Sequence, residues 1–201
     1  MNRIITIGRE FGSGGRELGR RLSEKLGFAY YDQEIIGEIA RRTDLSEHYI
    51  QSIVEHQPMI TFPIHVGRSF YPAPTPAFDQ SMAVYQEQSR IIEEMAQKSD
   101  CVIVGRCGDY ILKEYNPFRI FVYADMESKI KRCREKASGE EKMTDRELKK
   151  HILDIDKKRS RYYEFYTGRK WANKLNFDIC VNTSRTVIKE IVPALAKLVE
   201  A

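Results

Sequence analysis

The sequence predicts a three-layer α/β sandwich, a mainly parallel five-stranded sheet with helices on both faces. Three observations predict it. Short apolar, β-branched runs recur along the chain at Ile4–Ile7, Phe28–Tyr31, Cys101–Val104, Phe118–Tyr123 and Phe177–Val181, which is how strands buried on both faces read. Between them lie segments of helical periodicity, long enough for the crossovers that parallel strands need. The first run also passes through a glycine-rich turn directly into a helix.

Each element has a local cause. Ile4–Ile7 ends at Gly8, and Gly12-Ser13-Gly14-Gly15 forms the turn. Arg16–Leu26 then stacks Leu18, Leu22 and Leu26 on one helix face, and Gly27 supplies the glycine that commonly follows a helix. The strand Phe28–Tyr31 ends at Asp32. Helices are expected over Gln33–Arg42 and Glu47–Glu55. The stretch from Pro58 to Pro76 holds five prolines among aromatics and cannot be regular helix, so it reads as a long loop or irregular insert. Phe78–Ser99 is helical, with Met82, Tyr85, Ile92 and Met95 expected on the buried side.

Cys101–Val104 follows as a strand closed by Gly105-Arg106, and Phe118–Tyr123 as the next. Met126–Lys136 is a helix, and Ser138-Gly139 a polar break. Thr144 and Glu147 have capping-box spacing, so a long helix is expected to start there and run toward Tyr163. Phe177–Val181 is the last strand. Val187–Leu198 is the last helix, in which Pro193 predicts a kink or break. Trp171, close to Phe165 and Tyr166, reads as a packing residue.

The 201 residues suit one domain. A net charge of +4 is a mild excess that suits phosphorylated small molecules and is too small to imply nucleic acid. Cys101, Cys107, Cys133 and Cys180 form no C-x-x-C pair and the histidines do not cluster, so no metal centre is expected. Cys101 and Cys180 are expected to be buried thiols. Met1-Asn2-Arg3 leads straight into a strand and no stretch is apolar enough to span a bilayer, which predicts a cytoplasmic protein without membrane contact.

The chemistry is concentrated in Gly8 to Gly19, GREFGSGGRELG. Glycines let backbone N–H groups close around an anion, and the N-terminus of the next helix adds its positive dipole. Both favour phosphate, although the pattern lacks a lysine after the glycines. Asp32 lies at a strand end, the expected ligand edge, where it serves either the site or the cap of the next helix. Arg106 follows Gly105 at another strand end. Arg132 and Arg134 lie on the helix after Asp125. Lys158, Arg159 and Arg161 form a basic stretch before Tyr162-Tyr163.

Taken in order, these segments resemble the cytidylate kinase-like branch of the nucleoside monophosphate kinases. IITIGREFGSGGRELGRRLSEKLGF looks like the family's phosphate loop and first helix. YYDQEII (Tyr30–Ile36) is similar to the opening of its monophosphate site. IVGRCGDYIL (Ile103–Leu112) is similar to the segment that touches substrate phosphate. FVYADMESKIKRC (Phe121–Cys133) resembles the strand and basic helix before the lid, and Asp156-Lys-Lys-Arg159 the lid's acidic-then-arginine pattern. The resemblance implies a P-loop fold with strand order 2-3-1-4-5, an insert near residues 44–99 by the acceptor site, and a lid-like segment near 138–170.

It also implies ATP and Mg²⁺ as cofactors, and a nucleotide or phosphorylated small molecule as partner. Aligned on Gly12-Ser13-Gly14, the family's loop lysine falls on Gly15, and Arg16 and Glu17 stand where the family has a glycine and a hydroxyl residue. The resemblance then gives ATP contacts to Gly12, Ser13, Gly14, Gly15, Arg16, Glu17 and Arg132. Acceptor contacts fall to Asp32 and Arg106. Arg16, Arg106, Arg159 and Arg161 carry the charge of the transfer, and Glu17 holds the metal. A phosphate-binding or regulatory protein without catalysis, and a kinase of a non-nucleotide metabolite, are the alternatives.

Overall fold

A computed structural model describes residues 2–55, 76–136 and 143–200. Strands β1 (Ile4–Arg9), β2 (Ala29–Tyr31), β3 (Cys101–Val104), β4 (Phe118–Tyr123) and β5 (Ile179–Asn182) form one sheet in the order β2-β3-β1-β4-β5. Every pairing is parallel, with Ile5 beside Val102 on one side and Phe118 on the other. The central place of β1 puts its C-terminal end, and the turn after it, in the middle of the carboxyl edge.

Helices α1 (Gly15–Leu26), α2 (Glu34–Thr43), α3 (Glu47–Glu55), α4 (Pro76–Lys98), α5 (Gly108–Ile111), α6 (Met126–Lys136), α7 (Asp145–Thr167) and α8 (Ile188–Glu200) make up the outer layers. The two-residue period of the strands divides the core. Ile5, Ile7, Val102 and Val104 pack with Leu18 and Leu22 of α1 and Val192 and Leu195 of α8. Ile4, Cys101 and Ile103 face the other way, toward Ile35 and Ile39 of α2, Ile91 and Ile92 of α4, and Tyr162 and Tyr163 of α7. The five-stranded order and the two covered faces agree with the sequence expectation.

Local signals are realised closely. Gly27 ends α1 with φ 68°, a left-handed conformation that glycine adopts without strain. Thr144 and Glu147 form a reciprocal capping box at the start of α7, with the Glu147 N–H donating to Thr144 and the Thr144 N–H to Glu147. Trp171 packs edge-on against Phe121.

Two expectations are corrected. Cys180 is exposed, because β5 is the edge strand. The break expected at Pro193 does not occur: α8 continues through it, losing one backbone hydrogen bond without ending. In α4 Ile92 is buried and Tyr85 and Met95 pack half-buried against the core, as expected, beside the buried Ser81, Val84, Gln88 and Ile91. The expected loop from Pro58 to Pro76 lies outside the described residues except for Pro76, which begins α4. The break at Ser138-Gly139 also lies outside them. The described part of the lid-like segment is one long helix, anchored by the burial of Tyr162 and Tyr163.

Candidate functional site

The glycine turn connects the end of β1 to α1. Gly12 and Gly14 both have left-handed backbones, with φ 73° and 84°, and α1 begins at Gly15. Ser13 closes the turn by donating from its N–H and its hydroxyl to the Glu10 carbonyl, at 3.4 and 2.8 Å. The Arg132 guanidinium on α6 donates to the carbonyls of Gly12 and Ser13, at 3.5 and 3.4 Å, and to that of Thr183. The Thr183 hydroxyl donates to the Ser13 carbonyl at 2.7 Å. With these carbonyls tied down, the turn offers a ligand the first N–H groups of α1, which have no partner within the helix.

A buried ion pair anchors the other end of the turn. Lys129 of α6 is buried, with Nζ 2.7 Å from the Glu10 carboxylate and 3.2 Å from that of Asp156. Asp156 also accepts the Phe11 N–H at 2.6 Å, and Glu10 accepts the Ala124 N–H at 3.2 Å. Burial pushes the Asp156 carboxyl up, and the Phe11 N–H and Lys129 hold it down.

Beside the turn, the strand ends assemble arginines around Asp32. Asp32 is buried, 2.6 Å from Arg16 Nε and 3.5 Å from an Arg9 Nη. Its side chain does not cap α2. Arg9, the last residue of β1, is largely buried and its Nε has no hydrogen-bond partner among the described residues. Burial lowers its pKa well below the ordinary arginine value. Arg159, Arg106 and Arg16 lower it further, and Asp32 opposes them.

Arg159 on α7 donates to the Arg9 carbonyl at 3.3 Å and lies over the Phe11 ring, 5.6 Å from its centre. The backbone at Gly105, Arg106 and Cys107 is left-handed at all three residues, with φ 74°, 57° and 55°. Gln88, buried in α4, pins it by donating to the Arg106 carbonyl at 3.1 Å. Two successive non-glycine residues in this region store strain of a kind concentrated at ligand sites.

The turn and the arginines border a cavity of about 680 Å³. Its cationic lining comes from Arg9, Arg16, Arg132, Arg134, Lys136 and Arg159, against the carboxylate of Glu10. The size suits a small-molecule ligand and the charge suits an anion.

Of the residues singled out in the sequence, Gly12, Gly14, Gly15, Arg16, Arg132, Arg134 and Arg159 line this cavity. Ser13 is fully buried beneath it, and Asp32 and Arg106 adjoin it through Arg9. Glu17 does not line it. Its carboxylate binds Arg21 at 2.9 Å and Lys136 at 3.6 Å. Arg161 is exposed and outside the lining. Sequence reasoning missed Arg9, Lys129 and Thr183. Only Arg9 carried a signal, a charged residue closing an apolar strand at the lip of a glycine turn.

A model of the cytidylate kinase-like family matches residues 4–185. Among solved structures, an uncharacterized protein from Eubacterium ventriosum superposes with a TM-score of 0.72 at 25% identity, covering 100% of this chain and 99% of that one. Shikimate kinase from Bacteroides thetaiotaomicron gives 0.59 at 16% identity, covering 99% of each. Shikimate kinase from Acinetobacter baumannii in complex with shikimate gives 0.53 at 17%, covering 100% and 93%. No curated protein matches. No helix among the described residues is long and apolar enough to cross a membrane.

Proposed function

Because the chain belongs to the cytidylate kinase-like family, we propose that it transfers the γ-phosphoryl group of ATP to a small acceptor, a pyrimidine nucleoside monophosphate being the first to test. The observation that carries this reading is the juxtaposition of the glycine turn with arginines drawn from four separate elements. Arg9 ends β1, Arg16 opens α1, Arg106 follows β3 and Arg159 lies on α7. Phosphoryl transfer requires alignment and compensation of negative charge more than covalent participation by the protein.

In this reading the first turn of α1 and Gly12–Arg16 hold the ATP phosphates. Arg16, half-exposed and oriented by Asp32, reaches them from the open side. Arg106, on its strained backbone, meets the acceptor phosphate, and an oxygen of that phosphate attacks in line. Arg159 approaches the transferring group from α7, within a helical turn of the Asp156 that binds the loop. Arg132 keeps the loop's carbonyls turned to itself.

The Glu17 carboxylate, expected to hold Mg²⁺, does not line the cavity. Glu17 is committed to Arg21 and Lys136, Glu10 to Lys129, and no cluster of three potential ligands occurs among the described residues.

An ADP-release assay across nucleoside monophosphates, with shikimate and simple sugars as non-nucleotide acceptors, tests the proposal. Acceptor-dependent ADP release supports it. Tight ATP binding with no release for any acceptor would favour the second reading, phosphate binding without catalysis, to which glycine at the loop-lysine position points.

A further inference from the structure

We propose that Arg9 carries the charge of the absent loop lysine, delivered from the end of β1 to the boundary between the glycine turn and the acceptor edge. The inference rests on reading the cavity as the phosphoryl-transfer site. Two glycines support it. A Cβ at Gly15, where the family pattern has lysine, would lie 2.5 Å from Arg9 Cβ and 3.1 Å from its Cγ. The Gly15 backbone is not left-handed, so conformation does not require glycine there. The side chain of Arg9 does. While Arg9 is in place, position 15 cannot hold a lysine or any other side chain.

At the far end of the same side chain, a Cβ at Gly105 would fall 1.7 Å from an Arg9 Nη and 2.7 Å from Cζ. The stem of Arg9 therefore crosses the start of α1, and its guanidinium rests on the backbone at the end of β3, next to Asp32. That path runs from the turn that would hold the donor phosphates to the strand ends that would hold the acceptor. A phosphoryl group in transfer has to pass between them.

The charge is poorly compensated. Asp32 is 3.5 Å away and shared with Arg16, which holds it more closely at 2.6 Å. Arg9 Nε has no hydrogen-bond partner among the described residues, and the side chain is 12% exposed. A buried guanidinium among other guanidiniums is costly unless an anion joins them. A phosphoryl group would supply that anion and accept from the unused N–H.

The test compares Arg9→Met, Arg9→Gly, Gly15→Lys and the double variant Arg9→Gly/Gly15→Lys. ATP and inorganic tripolyphosphate are titrated by calorimetry, ADP release is followed with the best acceptor, and apo melting is recorded. Arg9→Met is expected to weaken ATP and tripolyphosphate binding by about tenfold to a hundredfold, the worth of a charge-assisted hydrogen bond. It should melt no lower than the parent, because one of several clustered cations is gone. Gly15→Lys alone should bind poorly. The double variant, with both the obstruction and the old charge removed, should bind ATP more tightly than Arg9→Gly.

Unchanged ATP affinity in Arg9→Met, with a parent protein that binds ATP, would overturn the role of Arg9 and leave the kinase reading standing. Parallel losses of affinity and melting temperature, without recovery in the double variant, would overturn it in favour of a structural role. A parent that binds neither ATP nor tripolyphosphate would remove the kinase reading and this inference with it.

Discussion

Replacing Lys129 with methionine tests whether the glycine turn is held from below. The substitution keeps a long flexible stem and deletes the ammonium 2.7 Å from Glu10 and 3.2 Å from Asp156. Breaking a buried pair by removing one partner costs about 3–5 kcal/mol, because the remaining charge is left uncompensated. Here the low end applies. Glu10 is 24% exposed and recovers some hydration, and Asp156 keeps the Phe11 N–H. A loss of about 3 kcal/mol lowers the melting temperature of a chain this size by about 6–12 °C.

The pH dependence supplies a second readout. Burial already raises the Asp156 carboxyl and Lys129 opposes that, so its removal raises the carboxyl further. A carboxyl with a raised folded pKa binds more protons in the folded than in the unfolded state. Stability from this group is therefore fully present below the unfolded carboxyl value and is lost as pH rises through the folded pKa. Lys129→Met should lie closest to the parent in mildly acidic buffer and furthest from it at neutral pH. Adding Asp156→Asn, which keeps an acceptor for Phe11, should recover part of the loss at neutral pH. Calorimetric melts across that range decide the matter. A variant within 1 kcal/mol of the parent at pH 7, with no pH dependence of the difference, would refute the idea that this pair anchors the turn.

Arg16→Ala should weaken ATP binding about tenfold by calorimetry. Because Arg16 is half-exposed and pairs with Asp32, apo stability should also fall, by no more than about 1 kcal/mol. Gly105→Ala places a methyl where the Arg9 guanidinium lies, on a backbone with φ 74°. It should destabilise by at least about 1–2 kcal/mol from the backbone alone and reduce tripolyphosphate binding, measured by denaturation and titration. Thr144→Ala removes the capping box of α7 and should cost about 1 kcal/mol, read as a melting temperature about 2–4 °C lower.

Element order, most element boundaries, the strand–turn–helix opening and the capping of α7 were legible in the amino-acid pattern. These depend on near neighbours. Alternating or continuous apolar runs define strands and helix faces, and a left-handed residue selects glycine at Gly12, Gly14 and Gly27 whatever the rest of the chain does. Family resemblance along the chain added the strand order.

Which charges meet depends on the packing of distant segments. Phe11 and Asp156 are 145 residues apart, and Arg9 and Arg159 are 150 apart. In the sequence Arg159 and Arg161 are equivalent members of one basic stretch. The helical rotation of α7 brings Arg159 to the loop and leaves Arg161 exposed. Glu17 and Asp32 are equally plausible carboxylates in the sequence, but α1 directs the first toward Arg21 and the sheet buries the second among arginines. Gly15 shows the division most directly. Local pattern reading sees a lysine missing from a loop, whereas its backbone conformation would accept a side chain. What excludes one is the stem of Arg9 lying across it, a contact set by the path of β1 into α1 and invisible to any local rule.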